Sequence, residues 1–398
     1  MYINKQESLI WLLLLLQLTP LLRFNGLIIA VAVLLFYSFL HVKTIIKNSY
    51  PSKSIVLSVI ALGLINTIYC LYTYRQGLAD GIFGIYYLGL FISYFLFVRY
   101  FKRDISRIDK LNELVMIIAA VVSMMTILQS LFYPYINVFS FSVRNGRMRI
   151  LGTAMSFFAE ILGIAYWMTG RATKRMKISL TILIFALFFV SQSRSGIILL
   201  FVACAFAEMK RLLEKKSKRS IFMLLGFAIG LFVVVVLISK TTLWNQVFSF
   251  MDEIEEGSGS GATRMREMSY YWNQLKGKEI FGLGLLRGGS VLADSVFRTD
   301  LYFFIEDLGL LGFVFQTGYL GLAWVVYAII SILKNMSRLA KVHSQISVTI
   351  RLSFTMLLII TLIGFTNANY IVGRSSIFFF CMLLAEVDVL LAEADYDS

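Results

Sequence analysis

Long apolar runs recur along this chain, separated by short polar interruptions. They cover roughly residues 9–22, 24–42, 54–74, 82–98, 111–133, 151–169, 178–191, 195–209, 220–239, 304–333, 352–372 and 376–392. Most approach the ~20 residues that a helix needs to cross a bilayer. The pattern therefore predicts an all-α integral membrane protein of about twelve transmembrane helices. Residues 1–239 hold nine of them, 240–303 form one long polar segment, and 304–398 hold the last three with a short acidic tail. The first run, Leu9 to Leu22, has the length of a secretory hydrophobic region. No small-residue cleavage site follows it and the next run starts almost at once, so it is read as a retained helix.

The stretch 177–209 is interrupted only by Ser191-Gln192-Ser193-Arg194-Ser195-Gly196 and has basic residues at both ends. Flanks of one kind belong on one side, which predicts a helical hairpin. Its arms of about 15 residues reach only about 22 Å, less than the ~30 Å hydrocarbon core. The apex with Arg194 is then expected below the outer surface, beside a cavity that opens outward. In the long segment, Asp252 to Gly261 reads as a flexible acidic, Gly/Ser-rich linker. An amphipathic helix is expected next, capped by Thr263 and running to about Lys276. Arg264, Met268, Tyr271 and Leu275 share one face of it, and Arg266, Tyr270 and Asn273 the neighbouring one. Phe281-Gly282-Leu283-Gly284 then turns the chain.

Composition agrees with lipid as the solvent. The 398 residues are 59% hydrophobic and 15% charged, with mean hydropathy +0.79, which is more apolar surface than soluble cores hide. Cys70, Cys204 and Cys381 lie far apart inside apolar runs and read as small hydrophobes. His41 and His343 sit beside Lys43 and Lys341, so a histidine metal site or base is not expected.

Charge sets the orientation. With the N-terminus cytoplasmic, inner segments carry 23 of the 37 basic residues, and both termini lie inside. Of those 23, 14 are lysine; of the 14 outer basic residues, eleven are arginine. Lysine suffices against anionic headgroups, whereas the arginine fork holds phosphate by two parallel hydrogen bonds. The chain has no Walker motif, no Rossmann glycine fingerprint, no HExxH and no nucleophile elbow, which disfavours nucleotide-driven and metalloprotease chemistry.

The Ser191–Gly196 apex, Arg264 with its aromatic helix and Gly282-Leu283-Gly284, and Asp307-Leu308-Gly309-Leu310-Leu311-Gly312 together resemble the O-antigen polymerase and O-antigen ligase superfamily. The cluster Arg144, Arg147 and Arg149 is also similar to that family's arrangement. The resemblance covers about residues 140–330. It implies a GT-C-like glycosyltransferase at the outer face of the bacterial inner membrane, acting on undecaprenyl-pyrophosphate-linked glycans. Membrane lipids, a chain-length co-polymerase and a repeat-unit flippase are the partners it implies; nucleic acid, metal and cofactor are not expected. In ligases of this family a histidine precedes a glutamate-glycine motif, and Arg298 stands at that place here. The resemblance thus implies a Wzy-type polymerase of O-antigen, capsule or exopolysaccharide. A ligase, and a non-enzymatic glycolipid flippase or secondary transporter, stay open.

Such a transfer needs cations for the departing pyrophosphate and a group to accept the acceptor's proton. Arg194 and Arg264 are the first candidates for pyrophosphate, followed by Arg147, Arg149 and Arg266. Glu267, Asp294, Asp300, Glu306 and Asp307 are the outer carboxylates, of which Asp307, Asp294 and Glu267 are the candidate catalytic groups. Glu160, about halfway along the sixth span, is costly enough there to suggest function or a buried partner such as Arg194. Tyr270, Tyr271 and Trp272 suit either sugar stacking or interfacial anchoring. Gly309, Gly312, Gly318 and Gly321 are expected to let the tenth span pack closely.

Overall fold

The computed structural model describes residues 5–18, 26–47, 49–144, 147–149, 154–191, 194–214, 259–301, 303–342 and 344–397. The expected ninth span, 220–239, and most of the acidic linker lie outside the described residues. Among the described residues, apart from one antiparallel hairpin, β1 (Ser142–Arg144) with β2 (Arg147–Arg149), the regular structure is helical. Among the described residues, five helical stretches are long and apolar enough to cross a membrane: Lys53–Tyr74, Leu78–Phe101, Ser106–Phe132, Ile305–Leu339 and Gln345–Ile363. The apolar helices Gln6–Leu18, Gly26–Leu40, Ala154–Met168 and Gly196–Met209 are shorter. The chain is a membrane-embedded helical protein.

In chain order the helices are α1 (Lys5–Leu18), α2 (Gly26–Leu40), α3 (Val42–Lys47) and α4 (Lys53–Tyr74). Next comes a rod made of α5 (Leu78–Ile85), a 3-10 segment (Tyr86–Ile92) and α6 (Ser93–Phe101). It is followed by α7 (Ser106–Phe132), α8 (Ala154–Met168), α9 (Lys174–Ala186) with a π-turn (Leu187–Ser191), and α10 (Arg194–Glu214). Beyond the undescribed stretch come α11 (Gly259–Gln274), α12 (Val291–Phe297), α13 (Gly309–Leu339), α14 (Gln345–Ile363) and α15 (Ile377–Asp397). The acidic end, Glu393 to Asp397, continues α15 as helix.

Helix ends meet as the charge pattern groups them. At one end Arg171 pairs with Asp109, and Asp388 accepts from the Ser52 backbone N–H and hydroxyl. At the other, Lys278 donates to the Tyr74 hydroxyl, Arg287 pairs with Asp80, and Arg374 with Glu306. The latter end is called outer below, following the charge pattern of the sequence.

Three expectations change. The eleventh span is α14, residues 345–363 and not 352–372. Ile371 and Val372 are apolar because they are buried in the turn that follows, not because they face lipid. The arms of the 177–209 stretch are longer than expected: α9 with its π-turn has 18 residues and α10 has 21. They pack against α7 and α8, and against α14, respectively. Leu199 of α10 lies beside Gly364, which ends α14. Arg194, five residues earlier, begins α10 about 7 Å further along its axis.

The third change positions everything at the outer end. The tenth span is not continuous: Gly318 takes φ 64° and ψ −152° and breaks α13 nine residues from its start. Residues 279–284 fill the break as an extra piece of backbone. Leu283 and Gly284 N–H donate to the carbonyls of Phe315 and Gln316, at 2.8 and 2.9 Å. Tyr319 and Leu320 N–H donate to those of Glu279 and Ile280, at 2.8 and 3.2 Å. Gly318 is glycine because a Cβ there meets the Glu279 carbonyl in addition to the left-handed φ.

Asn66, buried in the middle of α4, completes the joint. Its Nδ2 donates to the Phe281 carbonyl (2.9 Å) and its Oδ1 accepts from Leu285 N–H (2.6 Å). Each buried backbone group left unmatched costs about 1–3 kcal/mol, so Asn66→Ala is expected to destabilise the protein by about 2–5 kcal/mol. Thermal unfolding in detergent checks this; an unchanged midpoint means other groups serve the 281–285 backbone.

Candidate functional site

The outer segment carries a small core of its own. Tyr271 and Leu275 of α11 pack with Leu283, Leu286, Ala293, Phe297, Ile305, Leu308 and Phe315, and Met268 lies against them. This is the apolar face expected for the helix. Its start is different: α11 opens at Gly259, so Thr263 is an interior residue and not the cap. Gly261 and Ala262 are buried, and that packing outweighs glycine's poor helix propensity.

Glu267 turns onto the packed side of α11 and is only 2% exposed. Its Oε1 accepts the Phe304 N–H at 2.9 Å, while Oε2 has no hydrogen-bond partner. Arg264, one turn earlier, acts by its charge on Glu267 and on Asp307 of the 3-10 turn Ile305–Leu308. The charge of one arginine thus reaches two carboxylates from positions forty residues apart in the chain, without an ion pair to either. Burial pushes the Glu267 carboxyl above the ordinary range; the Phe304 N–H pulls it back, the Asp307 charge adds to the rise, and Arg264 opposes it.

The other candidates divide. Asp294 does not join this corner through any described hydrogen bond: its Oδ1 accepts the Thr299 hydroxyl and its carbonyl the Arg298 N–H, bracketing the end of α12. Glu306 is paired with Arg374 at 2.8 Å. Arg266 is exposed, with Nε directed to the Ala262 carbonyl at 3.4 Å. Tyr271 is buried and donates to the Phe297 carbonyl, and Tyr270 donates to that of Val296, so their hydroxyls serve the fold. Trp272 is 64% exposed and keeps its ring available.

Arg147 and Arg149 stand two positions apart on β2, paired with Arg144 and Ser142. β2 contacts the π-turn Leu187–Ser191 that leads to Arg194, so the backbone brings these three candidates to one place. The side chains of Arg147, Arg149, Arg194 and Asp300 lie outside the described residues. The turn 364–368 links the two groups: Gly364 touches Leu199 of α10, while the Ala368 and Phe365 carbonyls accept from Leu310 and Leu311 N–H at the start of α13. Glu160 is 3% exposed beneath this turn, beside Tyr370, which stacks on Phe157 at 4.2 Å. No basic partner meets it among the described residues, and its Oε2 is unmatched.

No protein-family model matches the chain, and no curated protein matches it either.

Two outer arginines escaped the sequence reading. Arg287 pairs with Asp80 at 2.6 Å and lies over Phe83; Arg374 lies over Tyr87. Phe83 and Tyr87 are one helical turn apart on the α5 rod, so both cations clip loops to the same stripe. The only sequence signal was arginine in an outer loop, which does not separate a clip from a binding residue.

The Arg264–Glu267–Asp307 corner offers a cation for an anionic group and a half-matched carboxylate able to accept a proton. A raised carboxyl makes the sign of a stability test definite. The folded state holds its proton more tightly than the unfolded chain, so stability declines as pH rises from the ordinary glutamate value of about 4.3 to the raised one. Glu267→Gln is expected to remove that decline and to unfold at a higher temperature than wild type in alkaline buffer. A lower alkaline midpoint for the variant means instead that ionised Glu267 is held by Arg264.

Proposed function

We propose that the chain is a membrane glycosyltransferase that polymerises undecaprenyl-pyrophosphate-linked oligosaccharide repeat units into O-antigen, capsule or exopolysaccharide. It works at the outer face of the bacterial inner membrane, with both termini cytoplasmic and a GT-C-like arrangement of helices. The observation that carries this reading is buried Glu267, with one carboxylate oxygen unmatched, within reach of the charges of Arg264 and Asp307.

The chemistry required of such a site is modest. The anomeric carbon arrives activated by pyrophosphate, so the protein has to stabilise the departing anion, align the acceptor hydroxyl and take its proton. Arg264 suits the anion because a guanidinium stays charged and binds phosphate through two donors. Arg194, Arg147 and Arg149 lie toward the same outer end in this reading and extend the cationic surface. Glu267 suits the proton, since its Oε2 has no competing donor and its raised carboxyl is a stronger base than an ordinary glutamate. Asp307, exposed at the edge, keeps a negative charge beside Glu267 and is the alternative base. Trp272 offers a face for sugar.

The break in α13 favours a second reading, since interrupted helices are common in transporters, where freed backbone groups line a substrate site. Here the freed groups at Gly318 are matched by residues 279–284, which supports a structural use of the break. A ligase differs from a polymerase only in its acceptor.

The test is purified protein in nanodiscs with the lipid-pyrophosphate repeat unit of its host, read on a glycan ladder gel. Wild type is expected to build a ladder, Arg264→Ala and Arg194→Ala to abolish it, and Glu267→Gln to slow it by about 10²–10⁴-fold. The acid limb of the wild-type rate should lie above the ordinary carboxylate range. Transfer only to a separately supplied acceptor makes the protein a ligase, and inertness with both acceptors returns it to the transport reading.

A further inference from the structure

At the inner end, away from the corner just described, a chain of polar groups runs from the surface into the core. Arg171 pairs with Asp109 of α7 at 2.5 Å, and Asp109 Oδ1 accepts the Tyr166 hydroxyl of α8 at 2.6 Å. The Tyr166 oxygen in turn accepts from Asn112 Nδ2 at 3.2 Å. The Asn112 side chain adjoins Glu386 of α15, nine residues past Ile377 and so about 14 Å along the helix. Both residues have no exposed surface. Asn112 Oδ1, Glu386 Oε1 and Glu386 Oε2 all lack a hydrogen-bond partner.

Three acceptors without hydrogen-bond partners thus lie in a dry site, where the Asn112 amide that serves Tyr166 is the one donor acting on Glu386. Turning the Asn112 amide over only moves the mismatch. Its Oδ1 then faces the Tyr166 oxygen, whose single hydrogen is committed to Asp109. The site is short of one positive hydrogen in either arrangement. Buried polar groups without partners are costly, and an acidic side chain inside a membrane protein commonly marks an ion or proton site.

We propose that Glu386 and Asn112 form a proton-binding site, loaded from the aqueous inner face where Asp109 is partly exposed. The proton resides on Glu386 and donates to Asn112 Oδ1, which joins α15 to α7 and, through Tyr166, to α8. The ionisable groups that act on Glu386 are Asp109 from α7 and Tyr166 from α8. Other polar groups of the surrounding helices are engaged elsewhere. Asp388 of α15 takes the Tyr94 hydroxyl from α6 and faces Arg338 from α13, and Thr349 of α14 bonds Thr169. A proton is favoured over sodium because three oxygens make a sparse shell for a metal ion, whereas a proton on Glu386 removes its charge and matches one of its oxygens to Asn112 Oδ1. This site is independent of the glycan-transfer reading.

The experiment is infrared difference spectroscopy of the full chain in nanodiscs, wild type against Glu386→Gln. Wild type is expected to show a protonated-carboxyl band that shifts in heavy water, responds to pH and is absent from the variant. Asn112→Leu, which removes the acceptor and keeps the carboxyl, should move that band to higher frequency without abolishing it. Spectra identical in wild type and Glu386→Gln overturn the proposal. So does a thermal midpoint raised by sodium chloride over choline chloride in wild type and not in Glu386→Gln, which makes the occupant a sodium ion.

Discussion

Backbone hydrogen bonding in a medium without water is the constraint on which the outer half of this protein depends. A broken helix in a bilayer has to find partners for its freed N–H and C=O groups inside the protein. At Gly318 they are found in residues 279–284, and Asn66 matches what those residues leave over. The arrangement fixes more than the break. Because Leu283 and Gly284 are held against Phe315 and Gln316, α11 behind them and α12 after them are placed over the helix ends. Tyr271 and Phe297 then close the small core that orients Glu267 toward Phe304.

The outer corner and the inner polar chain show one physical problem handled in two ways. Glu267 is buried with one oxygen matched, and it keeps an arginine and a second carboxylate beside it. Glu386 is buried deeper with neither oxygen matched, and its neighbours are an amide and a phenol. The first environment suits a group that must change partners during a reaction. The second suits one that holds a single small species.

Much of the helix layout was legible because charge bounds the apolar runs. α4 starts at Lys53 and ends at Tyr74 just before Arg75, as its run does. The break in α13 was not, because Phe315 and Tyr319 on either side read as ordinary span, and only Gly318, Gly282, Gly284 and Asn66 together hint at a docked strand of loop. Residues 371–372 misled for the opposite reason, being apolar in a turn that is buried by protein. At the site, Arg264 and Glu267 were legible as neighbours one turn apart. Their meeting with Asp307 depends on how α11 rests on the 3-10 turn, which no local pattern encodes. Arg287 and Arg374 went unnoticed because their partners Asp80 and Glu306 are distant in the chain.

The reach of Asn66 also imposes an order on biosynthesis. Its partners Phe281 and Leu285 lie 215 and 219 residues later in the chain. When α4 enters the bilayer, neither they nor α13 has yet been made, so the amide must wait through the insertion of every helix between. The outer subdomain can seat only after α13 has followed, which makes the corner holding Arg264 among the last parts of the molecule to take shape, and leaves the half-assembled protein without it.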